Sequence, residues 1–110
     1  YQALLEIKYE QRAYRLKAYL DENYANPKLS NPALAAIFHT TEKTLVRDFS
    51  HEFSITPHAY LIQVRMHRAK AMIDNGIHIN RVYPQVGYAD LRSFGKQFKI
   101  FFGFPPSEYR

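Results

Sequence analysis

Apolar residues recur along the chain at intervals of three and four, the spacing that places side chains on one face of an α-helix. Residues 3–25 carry one such stripe, spaced 4, 4, 3, 4 and 4: Leu5, Tyr9, Ala13, Leu16, Leu20 and Tyr24. A second long segment, residues 57–74, carries Ile62, Met66, Ala69 and Ile73 along one side. No segment alternates apolar and polar residues as a half-buried strand does, so the pattern predicts an all-α fold.

Capping residues divide the rest of the chain into shorter helices, because Ser, Thr, Asn and Asp accept the free N–H groups at a helix start. They predict helices over 32–38 after Ser30 or Asn31, about 42–53 after Thr41, 57–74 after Thr56, and about 91–102 after Asp90. Gly76 and Gly103 can adopt the left-handed conformation that ends a helix. A short helix over about 79–86 and a last turn in the final six residues complete the prediction.

One segment of the chain occurs twice, as "FSHEFSITPHAYL" and as "FKIFFGFPPSEYR". A constant shift of 49 positions relates Phe49, Phe53, Pro57 and Tyr60 to Phe98, Phe102, Pro106 and Tyr109. The same shift carries the cap Thr41 onto the cap Asp90. The repeat therefore relates two whole helices together with their starts and ends.

Helical wheels at about 100° per residue separate two faces on each repeated helix. The stripes predicted to enter the core are Leu45, Phe49 and Phe53 in the first helix and Phe94, Phe98 and Phe102 in the second. The opposite faces carry Lys43, Val46, Arg47, Ser50 and His51, and Arg92, Gly95, Lys96, Lys99 and Ile100. Either helix alone fits an ordinary solvated surface helix, but the duplication of cap, stripe and outward cations favours a shared function.

Each repeated helix follows a short helix and a tight turn, which is the outline of a helix-turn-helix unit. In such a unit the second helix offers one face to the core and its N-terminal outer face to the major groove of DNA. Arg and Lys side chains donate to guanine O6 and N7 or to phosphate oxygens. We therefore expect two units, joined by the helix at 57–74, to enter successive major grooves.

Net charge supports a polyanionic partner. The chain carries 15 Lys and Arg against 10 Asp and Glu, a net charge of +5, and the excess lies in residues 56–110. The absence of cysteine excludes disulfides and thiol chemistry and fits a cytoplasmic location. No apolar run approaches the roughly 20 residues of a membrane helix. Since the chain begins at Tyr1 without an initiator Met, we expect it to be an excised piece of a longer protein.

Catalytic and metal-binding patterns are not found. The five His residues include no pair at i, i+4 with a carboxylate as third ligand, so no metal site is predicted. No strained Gly-x-Ser-x-Gly turn or Gly-rich phosphate loop occurs, so neither catalytic residues nor a cofactor are predicted. The abundant Phe and Tyr could stack on single-stranded bases. Their positions on the apolar stripes favour a role in the core.

The combined motifs resemble the DNA-binding domain of the AraC/XylS family of bacterial transcription regulators over about residues 12–110. The first half shows Leu34-Ala35, the cap Thr41, "LVRDF", Thr56-Pro57 and Tyr60. The helix at 57–74 shows Arg65, Met66, Ala69 and Met72-Ile73, and the second half shows "GYAD", "FGKQFK" and "GFPPSEYR". The resemblance implies seven helices in one domain spanning 1–110: a first unit at about 12–56, the linker helix at 57–74 and a second unit at about 77–110.

The resemblance also implies which residues contact DNA bases: Lys43, Val46 and Arg47 in the first unit, and Arg92, Ser93 and Lys96 in the second. Val46 can meet a thymine methyl group but cannot donate a hydrogen bond. Ser50, His51 and Lys99 are added as flanking DNA contacts, although His51 fits mere exposure equally well. The implied partners are duplex DNA and either RNA polymerase or an effector or dimerisation domain of the full-length regulator, in the cytoplasm at the bacterial nucleoid, with no membrane partner.

Two features depart from the family pattern. The second unit has Val82-Tyr83 where the first has Leu34-Ala35, and Pro84 follows directly. Inside a helix Pro84 would cost about 3 kcal/mol, and the helix either contains it or begins late, near Pro84. In either case we predict a distorted support helix and a less firmly held second reading helix. Ser54 stands where the first unit of the family usually has a glycine, and a left-handed conformation there would cost about 1 kcal/mol.

The competing function is a helical protein-interaction module whose basic face docks an acidic partner and which binds no specific DNA sequence.

Overall fold

The computed structural model describes the backbone of residues 2–109 and the side chains of residues 10–109. Within that range the chain forms six α-helices, one 3-10 turn and no strands, which confirms the all-α prediction. The helices are α1 Gln2–Asn23, α2 Asn31–Ile37, α3 Glu42–Phe53, α4 Pro57–Asp74, α5 Ile79–Gln85 and α6 Leu91–Phe102, followed by the turn Pro106–Glu108. The expected seventh helix is, within the described residues, a single 3-10 turn, in which Glu108 N bonds to Pro105 O at 3.0 Å and Tyr109 N to Pro106 O at 3.1 Å.

Helix boundaries follow the capping residues. Ser30, one of the two candidates, caps α2 by accepting the N–H of Ala33 at 3.3 Å. Thr56 accepts the N–H of Ala59 at 3.2 Å at the start of α4. The bounds of α3, α4 and α6 agree with the prediction, while α1, α2 and α5 differ by one or two residues at their ends, where helices fray.

The chain folds as two compact units, Tyr1–Asn23 with Lys28–Leu61, and Tyr24–Pro27 with Ile62–Arg110. The core of the first unit is formed by Ala13, Leu16 and Leu20 of α1, Leu34 and Ala35 of α2, and Leu45 and Phe49 of α3. Phe53, expected in the core, is half-buried, and its ring lies edge-on to Tyr14 at 5.0 Å between centroids. The side chains of Leu5 and Tyr9 lie outside the described residues.

The second unit has an equivalent core, built by Met66, Ala69 and Ile73 of α4, Val82 of α5, Val86, and Phe94 and Phe98 of α6. Phe102 is half-buried like Phe53, and its ring centroid lies 4.6 Å from that of Phe98. In both helices, therefore, the third residue of the stripe, a phenylalanine, covers the edge of the core.

The long helices continue the internal repeat at a shift of 53. Residues 15–21 read "RLKAYLD" and residues 68–74 read "RAKAMID", so that Arg, Lys, Ala and Asp recur in register. Leu16 and Leu20 of α1 thereby correspond to Ala69 and Ile73 of α4, and all four are buried. The C-terminal part of α4 therefore supports the second unit as α1 supports the first.

Pro84 lies inside α5, in its last turn. The alternative of a late start is wrong: α5 begins at Ile79, because His78 Nδ1 accepts the N–H of Asn80 at 3.1 Å. The helix is as long as α2, at seven residues, and closes with an equivalent bond, from Tyr88 N to Tyr83 O at 3.0 Å. The predicted distortion is confined to the last turn, where Val86 N bonds to Tyr83 O at 3.4 Å, whereas the equivalent Phe38 N of α2 bonds to Leu34 O at 3.0 Å. It does not shorten the helix, since Pro84 removes a hydrogen bond only near its end.

Candidate DNA-binding surface

The start of α3 is closed by Thr41. Its Oγ1 accepts the backbone N–H of Thr44 at 3.2 Å and donates to the Thr44 hydroxyl at 3.0 Å. The cap satisfies one of the free N–H groups of the first turn and prevents its fraying. Leu45 and Phe49, both buried, hold the inner face of the helix against the core. Cap and core together fix which face of α3 turns outward.

Three of the five predicted contact residues of α3 are exposed: Lys43, Arg47 and His51. Val46 and Ser50 are half-buried. On a wheel of about 100° per residue they stand only ~60° and ~100° from the middle of the apolar stripe, so they flank the outer face. The prediction that Ser50 lies opposite the core is corrected: its Oγ is buried and has no hydrogen-bond partner.

Arg47 is held by a carboxylate on its own helix. Its Nε lies 3.5 Å from Asp48 Oδ1, while its side chain remains 64% exposed. The other oxygen of Asp48 lies 3.4 Å from Arg12 Nη1 of α1, within the same unit. Asp48 is only 9% exposed, so it is screened less than a surface acid, and its two oxygens face one arginine each.

The start of α6 is closed by Asp90 in the same way. Asp90 Oδ1 accepts the backbone N–H of Ser93 at 2.7 Å, and Oδ2 accepts the Ser93 hydroxyl at 3.2 Å. These hydrogen bonds, the backbone one first, lower the pKa of Asp90 because they favour its ionised form. The Ser93 hydroxyl, predicted to contact a base, therefore serves the cap in this structure, although Ser93 is exposed.

The outer face of α6 carries Arg92, Lys96 and Lys99, all exposed. Their spacing of four and three residues places them on one stripe, opposite the buried Phe94 and Phe98. Lys99 also lies in the last turn, where the partial negative charge of the helix C-terminus stabilises a cation. The result is a cationic face directed away from the core, as in α3.

The turns that precede α3 and α6 differ by one residue. In the first unit, His39 has a left-handed φ of 54°, and Thr41 begins the cap two residues later. In the second unit, Gly87 has a φ of 90°, and Asp90 follows three residues later. Both turns reverse direction through one left-handed residue, the role for which glycine has no steric cost.

The described side chains contain no group of three His, Asp or Glu residues that could hold a metal ion. Over the same part of the chain, none of the helices combines the length and hydropathy needed to span a membrane. What the two units do present is a pair of capped helices, each with an apolar face in a core and a cationic face in solvent. This is the geometry of helix-turn-helix proteins that bind DNA.

Residues 34–110 match a family described as "Helix-turn-helix domain". A transcriptional regulator of Escherichia coli, the uncharacterised HTH-type YdiP, is 32% identical over 93 residues, which are 84% of this chain and 30% of that protein. The probable transcriptional regulator LumQ of Photobacterium leiognathi is 26% identical over 106 residues, 92% of this chain and 43% of that protein. The chain thus spans less than half the length of these relatives.

The fold is similar to that of a solved C-terminal domain, from the response regulator AraT of Geobacillus stearothermophilus. The TM-score is 0.85 at 23% identity, covering 90% of this chain and 83% of that one. The chain belongs to the AraC-type helix-turn-helix family, the DNA-binding output domains of bacterial transcription regulators.

Sequence reasoning missed two elements that organise these faces. The first is the burial of Arg65. A helical wheel places Arg65 beside the apolar stripe, but charged side chains are rarely buried, so the sequence offered no reason to expect it. The second is the largely buried carboxylate of Asp48, which pairs with both Arg47 and Arg12. Its signal was the i, i+1 pair within "LVRDF", whose importance depends on the approach of Arg12 from another helix.

Proposed function

We propose that this domain binds a specific duplex DNA sequence by inserting the N-terminal halves of α3 and α6 into successive major grooves. The observation that carries this proposal is the repeated amphipathicity of the two helices. Each has two fully buried side chains inward and at least two exposed cations outward, directly after a capped turn. A surface helix that served only solubility would not need the same cap, stripe and outward cations at one offset.

In the first unit, Arg47 and Lys43 donate to guanine or phosphate, and Val46 meets a thymine methyl group. The half-buried position of Val46 suits this division, because an apolar side chain at the flank of the outer face can approach a base edge only when the helix is deep in the groove. His51 lies further along the helix and contacts phosphate. Ser50 is left out of the contact set, because its Oγ is buried.

In the second unit, Arg92 and Lys96 contact bases, and Lys99 contacts phosphate. Ser93 contributes through the cap, which places its backbone N–H and hydroxyl on Asp90. A helix of 12 residues is about 18 Å long, so its last turn, with Lys99, leaves the groove toward the backbone of the DNA.

The domain acts, in this proposal, as the output part of a longer bacterial regulator at the nucleoid in the cytoplasm. The relatives that it matches are at least twice its length, which leaves room for an effector or dimerisation domain. RNA polymerase is the second protein partner that we propose, since a regulator acts on transcription. Neither partner is needed for the DNA contacts themselves.

Selection from a random duplex library at stated salt tests the DNA proposal. We expect one enriched sequence with two contacted segments about one helical turn apart, preferred over random duplex by about 10³ or more. Affinity should fall steeply as salt rises, because each phosphate contact releases counterions. Weak, equal affinity for every duplex would contradict the proposal and favour a basic surface that docks an acidic protein.

Single substitutions assign the two helices to the two segments. Arg47→Ala should relax the preference at one base pair by about 1–3 kcal/mol, and Arg92→Ala should do so at a base pair in the other segment. Arg15→Ala is the matched control, since Arg15 is an exposed cation of α1 outside both outer faces. Loss of affinity that is uniform across all sequences for Arg47→Ala would show that Arg47 contacts phosphate alone.

A further inference from the structure

Arg65 is the only charged residue that is buried among the described side chains, with 7% of its surface exposed. Its guanidinium donates from Nε to the carbonyl of Tyr24 at 2.8 Å and from Nη2 to the carbonyl of Asn26 at 2.7 Å. Both carbonyls lie in the segment Tyr24–Pro27, which folds with the second unit. Burial lowers the pKa of Arg65, but arginine stays charged in proteins. The buried cation therefore donates its hydrogen bonds to two backbone carbonyl groups.

The same guanidinium lies against the turn that precedes α6. Its Cζ is 5.5 Å from the centre of the Tyr88 ring. A methyl group on Gly87 would come within 2.8 Å of Arg65 Nε and 2.6 Å of the Tyr24 carbonyl. The turn backbone therefore packs directly on Arg65, and glycine is required there for contact as well as for its left-handed φ of 90°.

The turn before α6 also contacts α6 itself. The Tyr88 ring lies edge-on to Phe94, the first buried residue of α6, at 5.6 Å between centroids. Two residues after Tyr88 stands Asp90, whose carboxylate caps the helix. The position of the first turn of α6, which carries Arg92, is thus set on one side by the core and on the other by Arg65.

We propose that Arg65 is a positioning residue for DNA recognition by the second unit. It sets the N-terminal turn of α6, and with it Arg92, without itself touching DNA. This inference rests on the function proposed above. Recognition of a base edge needs its donor placed within about 0.5 Å, so small shifts of the turn should lower specificity before they unfold the domain. Lysine cannot replace the planar fork that bridges two carbonyls and lies over a ring.

The test without DNA uses Arg65→Lys and amide signals in NMR. Shift changes at residue 65 and at 24–27 are expected from the lost carbonyl contacts alone. Beyond these, we expect chemical-shift changes at residues 87–93 and at least tenfold faster hydrogen exchange at the hydrogen-bonded amides among them, with Val82 and Phe98 as protected as in the wild type. A merely structural role would instead expose the whole second unit, Val82 and Phe98 included. That result, or unchanged amides at 87–93, would overturn the inference.

The test with DNA measures base preference for the same variant at a temperature where it is folded. We expect at least a tenfold loss of preference at the base pairs contacted by α6 and none at those contacted by α3. Arg68→Lys is the matched control, because Arg68 lies over the ring of Tyr24 at 5.3 Å on the same helix and is exposed. Equal losses in both segments, or a preference unchanged at α6, would also overturn the inference.

A second variant covers the case in which Arg65→Lys does not fold. Tyr88→Leu removes the ring between Arg65 and α6 and leaves both carbonyl bonds of Arg65 in place, so it should lower the same base preferences. If it leaves them unchanged, Arg65 does not act through the turn. If the wild type prefers no base at all, the proposed function fails. Amide changes at 87–93 that leave Val82 and Phe98 protected would still show that Arg65 sets the start of α6.

Discussion

The hydroxyl group of Tyr60 donates a hydrogen bond of 2.5 Å to a carboxylate oxygen of Asp21, across 39 residues of sequence. Lys17, one turn before Asp21 on α1, pairs with the other carboxylate oxygen at 3.7 Å and lies 5.4 Å from the centre of the Tyr60 ring. These three residues form a cluster that joins the first turn of α4 to α1, within the first unit.

The second unit contains the same cluster. Tyr109 donates to Asp74 at 2.5 Å, and Lys70 pairs with Asp74 at 3.6 Å and lies 5.5 Å from the Tyr109 ring. Lysine and aspartate recur at a shift of 53 and the tyrosine at 49, so the two shifts meet in one three-residue contact. The duplication therefore preserved a tertiary contact as well as a helix pattern.

Replacing Tyr60 by Phe should lower the free energy of unfolding by about 1–2 kcal/mol, because a hydrogen bond to a charged acceptor is lost at a half-buried position. Urea unfolding near neutral pH measures this. Tyr109→Phe is the matched change in the second unit, and its effect should be smaller, since that bond is exposed. A larger loss for Tyr109→Phe would contradict the idea that burial sets the strength of the bond.

The stability contributed by Tyr60 should depend on pH. Burial first, and then its hydrogen bond to Asp21, raise the pKa of Tyr60 from 10.0 to about 12. The raised pKa means that folding favours the neutral phenol, so the contribution is complete below pH 10.0 and is lost as the pH rises to about 12. We expect the wild type to lose more stability over that window than Tyr60→Phe. Tyr14→Phe, at an exposed ring, should retain the wild-type loss.

Helix positions could be predicted because their causes are local. Two helix starts are fixed by side chains that accept a backbone N–H group, Thr41 for α3 and Asp90 for α6. The start of α4 is fixed by Pro57, which has no N–H to leave unpaired. The bounds of all three helices agreed with the prediction. The outward direction of Arg47 and Lys96 followed from their distance of about half a turn from the apolar stripe. Such features need no knowledge of the rest of the fold.

The parts that could not be predicted depend on contacts between distant segments. A helical wheel places Ser50 on the outer half of α3, yet its Oγ is buried. Such burial depends on residues outside the helix, which a wheel does not include. Arg65 reads as a solvated cation until the carbonyls of Tyr24 and Asn26 approach it. The repeat between 15–21 and 68–74 was visible in the sequence, but the contact that makes Asp21 and Asp74 equivalent was not.

Gly87 and Gly103 separate steric clash from backbone strain. Both have a φ near 90°, but a Cβ on Gly103 would meet nothing within 4 Å, whereas a Cβ on Gly87 would lie 2.6 Å from the carbonyl oxygen of Tyr24. Gly103→Ala should therefore cost about 1 kcal/mol from the left-handed conformation alone. Gly87→Ala should cost clearly more, measured by thermal unfolding. Equal costs would mean that the Gly87 turn can move away from Arg65.

Ser54 occupies in the first unit the place of Gly103 in the second. The left-handed conformation considered from the sequence is adopted, with φ 58° and ψ 26°. Ser54→Gly should therefore stabilise the domain by about 1 kcal/mol, because the left-handed strain is removed. Ser54→Ala retains the strain and should bring no gain, as measured in the same urea titration. A similar gain for both substitutions would show that the hydroxyl, and not the backbone, is unfavourable.

The cap of α6 should be sensitive to acid. The backbone N–H of Ser93 and then its hydroxyl lower the pKa of Asp90, so the ionised cap stabilises the helix at neutral pH. For a lowered pKa the contribution is present above the ordinary value of 3.8 and is lost as the pH falls through the folded-state value. We expect the protection of the amides at 91–94 against exchange, corrected for the intrinsic pH dependence, to fall in acid in the wild type relative to the start of α3. Asp90→Asn keeps a good cap without the charge, so in that variant this extra loss of protection in acid should disappear. If it persists, a group other than Asp90 is responsible.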